Sequence, residues 1–226
     1  MNNILLYESI KMITETNMST QVNSTEYIMP QKHQAGMEAR TKWRKELREE
    51  DMEIVHFNTL ANGVFKKSAD IVLDDSDKRK TVIKVVPTDK IPWNAEREAV
   101  YVICRNGKVM KIGGTRTGMK KRWASYKCGH CVPERCMKNG GPYPGKMSVT
   151  NAHLYHTIED DLLKGNRWEF WSWSLPTVKV TVDIMGSPRE VIAQTYHAYE
   201  SCCIELFRKE SGDIPQLCDN ADPNYR

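Results

Sequence analysis

Residues 99–114, AVYVICRNGKVMKIGG, leave the chain few ways to fold, because two short alternating apolar runs meet at Asn106-Gly107. Asn-Gly is the strongest short-range signal for a two-residue β-hairpin, since both residues tolerate the positive φ that such a turn demands. A helix is excluded there. Immediately downstream, TRTGMKKRWASYKCG has helical composition from about 117 to 127, and Arg122 and Tyr126, four residues apart, share one face of that helix.

Other segments repeat this mixture of periods. VFKKSADIVLDD and KRKTVIKVVPTD flank a charged DDSDKRK turn and predict a second hairpin between Ile54 and Val86. Met37, Trp43 and Leu47 space an amphipathic helix over about 35–50, Ala152–Leu163 is a helix or a strand followed by one, and RWEFWSWSLPTVKVTVDIM supplies strands. In a strand, Trp168 and Phe170 lie on one side and Trp171 and Trp173 on the other. SPREVIAQTYHAYESCCIELFRKESG reads as one long terminal helix, with Ser187 as N-cap, Pro188 at the first position, Glu190 completing a capping box and Gly212 as the stop. Hairpins interspersed with helices indicate an α+β fold with an antiparallel sheet. At 226 residues one compact body is expected. It divides into an N-terminal arm, helix and hairpin extension over 1–93, a core over 94–212 with a basic insertion at 129–151, and a polar, peripheral tail over 213–226.

Net charge is only +4, but its distribution is uneven. Between Arg105 and Lys146 there are eleven Lys and Arg residues against the single acid Glu134. Such an excess suits a polyanion whose phosphates it would neutralise; a solvated basic face is the alternative. No apolar run is long enough to span a bilayer, and the first residues lack the basic start and long apolar stretch of a signal peptide. Seven cysteines, an odd number, favour free thiols in a reducing, cytoplasmic setting over a disulfide framework. Cys128 and Cys131 have zinc-ligand spacing, with Cys136 and either His130 or His153 as further ligands, but no second CxxC completes the pattern.

Val100-Tyr101-Val102, then Lys111-Ile112-Gly113, then Arg122 and Tyr126 one helical turn apart, then Glu200 on a later helix, form an ordered set that resembles the GIY-YIG nuclease family over roughly residues 99–210. The likeness is strongest to its type II restriction endonucleases that carry lysine in place of the second-motif tyrosine, here Lys111. The resemblance implies a small antiparallel sheet flanked by helices and a magnesium-dependent, one-metal hydrolysis of duplex DNA, with Mn²⁺ as a substitute ion; a homodimer is expected because cutting both strands of a palindrome is simplest with two symmetry-related sites. Glu200 would hold the metal, Tyr101 would be the general base, Arg122 would grip the scissile phosphate and Tyr126 would hydrogen-bond the phosphate or nucleophile. A phenol titrates near pH ~10, so a neighbouring cation is needed to favour phenolate, and Lys111 is the expected one. Each residue also has a plain structural reading: sheet tyrosine, solvated cation, packing tyrosine, surface helix glutamate. Glu205, Glu159 and Glu169 are rivals for the metal carboxylate.

For DNA contacts, Arg116, Lys120, Lys121 and Lys127 around the helix and Lys138, Asn139, Tyr143, Lys146, Ser148 and Asn151 in the Gly/Pro-rich insertion supply the donors that grip phosphates or read base edges. Sequence-specific cleavage, as by a restriction enzyme, is the principal expectation. A mobile-element nuclease that nicks with little specificity and a non-catalytic DNA-binding module are the alternatives.

Overall fold

The computed structural model describes residue 47 and residues 63–74, 82–131 and 149–218. Both expected hairpins form. Strands β1 (Lys66–Leu73) and β2 (Ile83–Pro87) pair antiparallel, as do β3 (Ala99–Arg105) and β4 (Lys108–Thr115). The β3–β4 turn has φ of 48° at Asn106 and 83° at Gly107, the left-handed pair that Asn-Gly accommodates. Strand β5 (Trp168–Ser174) then joins the hairpins by pairing antiparallel with β1 on one side and β3 on the other. The result is a five-stranded sheet in the order β2-β1-β5-β3-β4. Residues 66–87, expected as an extension, thus supply two strands of the sheet that carries the central motif.

Helices cover both faces, giving an α+β fold with a small antiparallel sheet flanked by helices. A short helix α1 (Lys90–Asn94), α2 (Met119–Lys127) and α3 (Val149–Leu163) place Trp93, Trp123, Tyr126, Leu154, Tyr155 and Ile158 against Tyr101, Ile103, Trp168 and Phe170. Helix α4 (Tyr196–Ser211) packs Cys203 and Phe207 on the other face, with Val100, Val102 and Ile112. Trp171 and Trp173 lean on that second cluster, so β5 divides its aromatics between the faces as its alternation requires. The helix expected over 35–50 and the 75–81 turn lie outside the described residues, although Leu47 packs against the first cluster.

Two expectations are corrected. Residues 187–193 are a strand, not the first turns of the terminal helix. Strand β6 (Val178–Ile184) pairs with β7 (Ser187–Ala193) around Met185-Gly186, whose φ values are 54° and 79°, and Gly186 N–H donates to Asp183 Oδ1 at 2.8 Å. The alternating Val-Lys-Val-Thr-Val run gave those residues a partner that outweighs the local capping-box pattern. Helix α4 instead starts after Thr195 and stops at Gly212 (φ 78°), as expected for the glycine. The second correction concerns the tail. Leu217 and Cys218 are buried, Leu217 N–H donates to Met110 O at 2.8 Å, and the Cys218 thiol accepts from Ile112 N–H and donates to Ile112 O. Residues 214–218 therefore run along the outer edge of β4, because Ile214, Leu217 and Cys218 give this polar stretch an apolar side.

The sheet is tied to α3 through Asp161. Its carboxylate accepts from Arg105 Nε at 2.7 Å and Nη2 at 2.9 Å, from Trp168 Nε1 at 2.7 Å and from Asn166 Nδ2 at 2.9 Å. Both members of the ion pair are buried.

Candidate active site

Strand β3 presents Tyr101 to the face covered by α2, and the helical spacing of Arg122 and Tyr126 brings both onto its hydroxyl. Arg122 Nε donates to Tyr101 Oη at 2.8 Å and Nη2 donates to Tyr126 Oη at 3.0 Å, while the two phenols hydrogen-bond each other. The guanidinium also lies 4.5 Å from the Tyr126 ring centroid. The fork thus locks a closed triangle. Both tyrosines are fully buried.

Two glycines at the end of β4 open the strand on either side. A Cβ at Gly113 would collide with Tyr101 Oη, and one at Gly114 would lie 2.8 Å from Glu200 Oε2 and 2.6 Å from the Tyr196 ring. Successive strand residues point to opposite faces. Tyr101 and Glu200 consequently approach the same two-residue stretch of edge strand from opposite faces, with no side chain between either of them and the backbone. Sequence alone showed Gly113 and Gly114 as the end of a hairpin; that they leave room for Tyr101 on one face and Glu200 on the other needs α4 docked on β4. Gly114 also receives Tyr196, and His197 Nδ1 is 3.8 Å from Glu200 Oε2. The sequence signal for that neighbour is its three-residue separation from Glu200, which places both on one helical face.

Lys111 is on the same strand, 3% exposed, and donates from Nζ to Leu217 O at 2.7 Å. An ammonium buried against a neutral carbonyl retains donors and charge for an anion. The cation bonded to Tyr101 is Arg122 rather than Lys111, which acts on the phenol through space. Burial pushes the Tyr101 phenol well above its ordinary range, the neighbouring Tyr126 adds to that, and Arg122 and Lys111 pull it down by less. Burial likewise raises Tyr126 against the pull of Arg122. Burial opposes the charge on Arg122, yet the two phenol oxygens outweigh it and hold the guanidinium firmly protonated.

The rival carboxylates are elsewhere. Glu159 is buried and bonded to His156 Nδ1 at 3.0 Å, Glu169 is bonded to Lys67 and Trp171, and Glu205 is exposed further along α4. Of the expected DNA-contacting residues, Arg116 and Lys120 are exposed, Lys121 pairs with Glu96 at 2.7 Å, Lys127 is half-buried at the end of α2, and Asn151 Nδ2 donates to Ser125 O and Oγ, joining α3 to α2. Lys138, Asn139, Tyr143, Lys146 and Ser148 lie outside the described residues. Cys128 is exposed and free, and Cys136 of the possible zinc cluster lies outside the described residues. Among the described residues no three His, Cys, Asp or Glu side chains converge as a metal group. Glu200, half-buried, is a lone carboxylate of the kind that would suffice to hold a largely hydrated Mg²⁺. No helix among the described residues is long and apolar enough to cross a membrane.

No family model matches the chain, and no curated protein matches it. Among solved structures, the restriction endonuclease HPY188I in complex with product DNA is similar at 22% identity, covering 74% of this chain and 87% of its own, with a TM-score of 0.44. A point mutant of bacteriophage T4 EndoII is similar at 20% identity, covering 68% of this chain and 96% of its own, with a TM-score of 0.45.

Proposed function

We propose that the chain is a Mg²⁺-dependent endonuclease of GIY-YIG type that hydrolyses phosphodiester bonds of duplex DNA, acting as a homodimeric restriction enzyme. The observation that carries this reading is the Gly113-Gly114 window, which sets a phenol held by a guanidinium on one side of an edge strand and a lone carboxylate on the other. A phosphodiester needs cations around its oxygens, a base for water and a group to stabilise the leaving oxygen. Arg122, with two donors fixed on the phenols, keeps others for a phosphate oxygen, and Lys111 adds a second buried charge. Mg²⁺ at Glu200 would supply Lewis-acid stabilisation of the developing negative charge. Tyr126 holds Tyr101 and Arg122 in register. The exposed Arg116 and Lys120, with the basic insertion, would bind the backbone on either side of the scissile bond.

Supercoiled plasmid and long unmethylated DNA, incubated with the protein and Mg²⁺, are expected to give discrete fragments, and EDTA should stop the reaction. Nicking without discrete fragments would favour the low-specificity alternative. Intact DNA under every divalent ion and substrate tried would replace the enzyme with a binding module.

The raised phenol also fixes a pH dependence. A base that titrates well above its ordinary range is mostly protonated at neutrality, so each pH unit should increase its active fraction about tenfold. For kcat/KM the expected profile between pH 7 and pH 9 climbs with unit slope and reaches no plateau, and Tyr101→Phe should flatten it. A wild-type profile already flat across that window would remove Tyr101 from the base role and leave it as the anchor for Arg122.

A further inference from the structure

The β6–β7 hairpin takes no part in the site, and both of its strands are edges of a two-stranded sheet. Isolated two-stranded ribbons are marginal in water. This one leaves Val180 38% and Ile184 48% exposed on the face they share with Val178, Val182, Val191 and Ala193, a mainly apolar face on which Arg189 and Ser187 also lie.

Its hydrogen-bonding direction follows from its turn. Met185 and Gly186 make a two-residue connection, so Ile184 and Ser187 form the pair closed by the turn hydrogen bond. Alternation along an antiparallel ladder then turns the N–H and C=O groups of Val178, Val180, Val182 and Ile184 toward β7 and those of Lys179, Thr181 and Asp183 outward. On β7 the outward residues are Pro188, Glu190 and Ile192, and proline has no N–H. Only β6 offers a complete outer edge.

We propose that this edge pairs antiparallel with the same edge of a second copy of the chain, about a two-fold axis through Thr181. In that register Lys179 of each copy faces Asp183 of the other, Val180 faces Val182, and Val178 faces Ile184. The sequence of β6 is therefore complementary to itself in charge and in apolarity. Pairing would turn two marginal ribbons into one four-stranded sheet and merge their apolar faces. Nucleic acid fits the same edge poorly, since Lys179 and Arg189 are balanced by Asp183 and Glu190 within the hairpin. Lys179 already contacts Glu190 at 2.7 Å across its own hairpin, which holds its ammonium on the face where Asp183 of the second copy would arrive. The inference adds a surface to the proposed homodimer and does not depend on the chemistry at Glu200, so either can fail while the other stands.

The 226-residue chain should sediment at twice its 26.1 kDa mass. Lys179→Asp and Asp183→Lys each set like charges opposite one another twice by symmetry, and each alone should weaken association about tenfold or more. An equimolar mixture of the two restores both attractive pairs and should regain the wild-type dimer as a heterodimer. Thr181→Cys, at the axis, should form an intermolecular disulfide under mild oxidation beyond any seen with wild type, whose exposed Cys128 and Cys202 serve as the control. A monomeric wild type, single charge variants that remain fully dimeric, a mixture that stays monomeric, or no extra crosslink at Thr181→Cys would each overturn the pairing.

Discussion

Glu200→Gln is expected to abolish DNA cleavage while leaving the fold and DNA binding in place. The substitution preserves size and removes only the charge of a side chain that is 27% exposed, so stability should change by no more than about 0.5 kcal/mol. What disappears is the anionic ligand. Lewis-acid stabilisation of a phosphoryl transition state is worth several kcal/mol, and each 1.4 kcal/mol is about tenfold, so a fall on the order of 10³-fold in kcat follows. Neither Tyr196 nor His197, its neighbours on α4, offers a second carboxylate to compensate. Single-turnover cleavage beside fluorescence anisotropy with Ca²⁺ separates the two readouts. Cleavage within tenfold of wild type would take the metal away from Glu200, whereas equal losses of binding and cleavage would mean that the carboxylate acts on the structure.

The largest effect on stability is expected at Asp161. Its carboxylate accepts four side-chain hydrogen bonds, two of them from the buried Arg105, and Asp161→Ala removes all four at once. Breaking a buried ion pair from one side costs about 3–5 kcal/mol because a charge stays behind in a low-dielectric setting. For a domain of this size that corresponds to a fall of roughly 10 °C in Tm. The double variant Arg105→Met with Asp161→Leu removes the stranded charge as well, and should be more stable than Asp161→Ala alone. Urea midpoints measure both. A single variant that loses less than about 1 kcal/mol, or a double variant no better than the single, would show that the pair is not what joins α3 to the sheet.

Much of the site could be read from sequence, since its strongest signals are local. Asn106-Gly107 fixed the β3–β4 hairpin, and a four-residue interval placed Arg122 and Tyr126 on one helical face. Gly212 marked the end of α4 for the same reason that Asn106 and Gly107 marked a turn, a backbone that visits positive φ. What failed was non-local. Ser187, Pro188 and Glu190 make a credible helix start by themselves, yet pairing with Ile184, Asp183 and Thr181 decided their conformation. No local pattern says that β1 will pair with β5 a hundred residues on, or that Leu217 will supply the carbonyl for Lys111. Tyr101 shows the same limit. A motif singled it out, but the burial that raises its phenol depends on Phe170, Tyr126 and Trp123, which only the folded sheet and helices bring together.

The segment along the outer side of β4 has a consequence for how the chain behaves among its neighbours. An open edge strand is a template on which other chains can add, and sheets commonly cover such edges to avoid aggregation. Here Leu217 occupies Met110 O and the Cys218 thiol engages both backbone groups of Ile112, so three of the edge's groups are taken by residues 217 and 218 of the same chain. That same stretch holds the Lys111 ammonium through Leu217 O. One stretch of backbone therefore both covers the strand edge and holds the buried Lys111 ammonium, so an alteration near residue 217 that looks like a folding or aggregation defect would at the same time change the electrostatics of the candidate site.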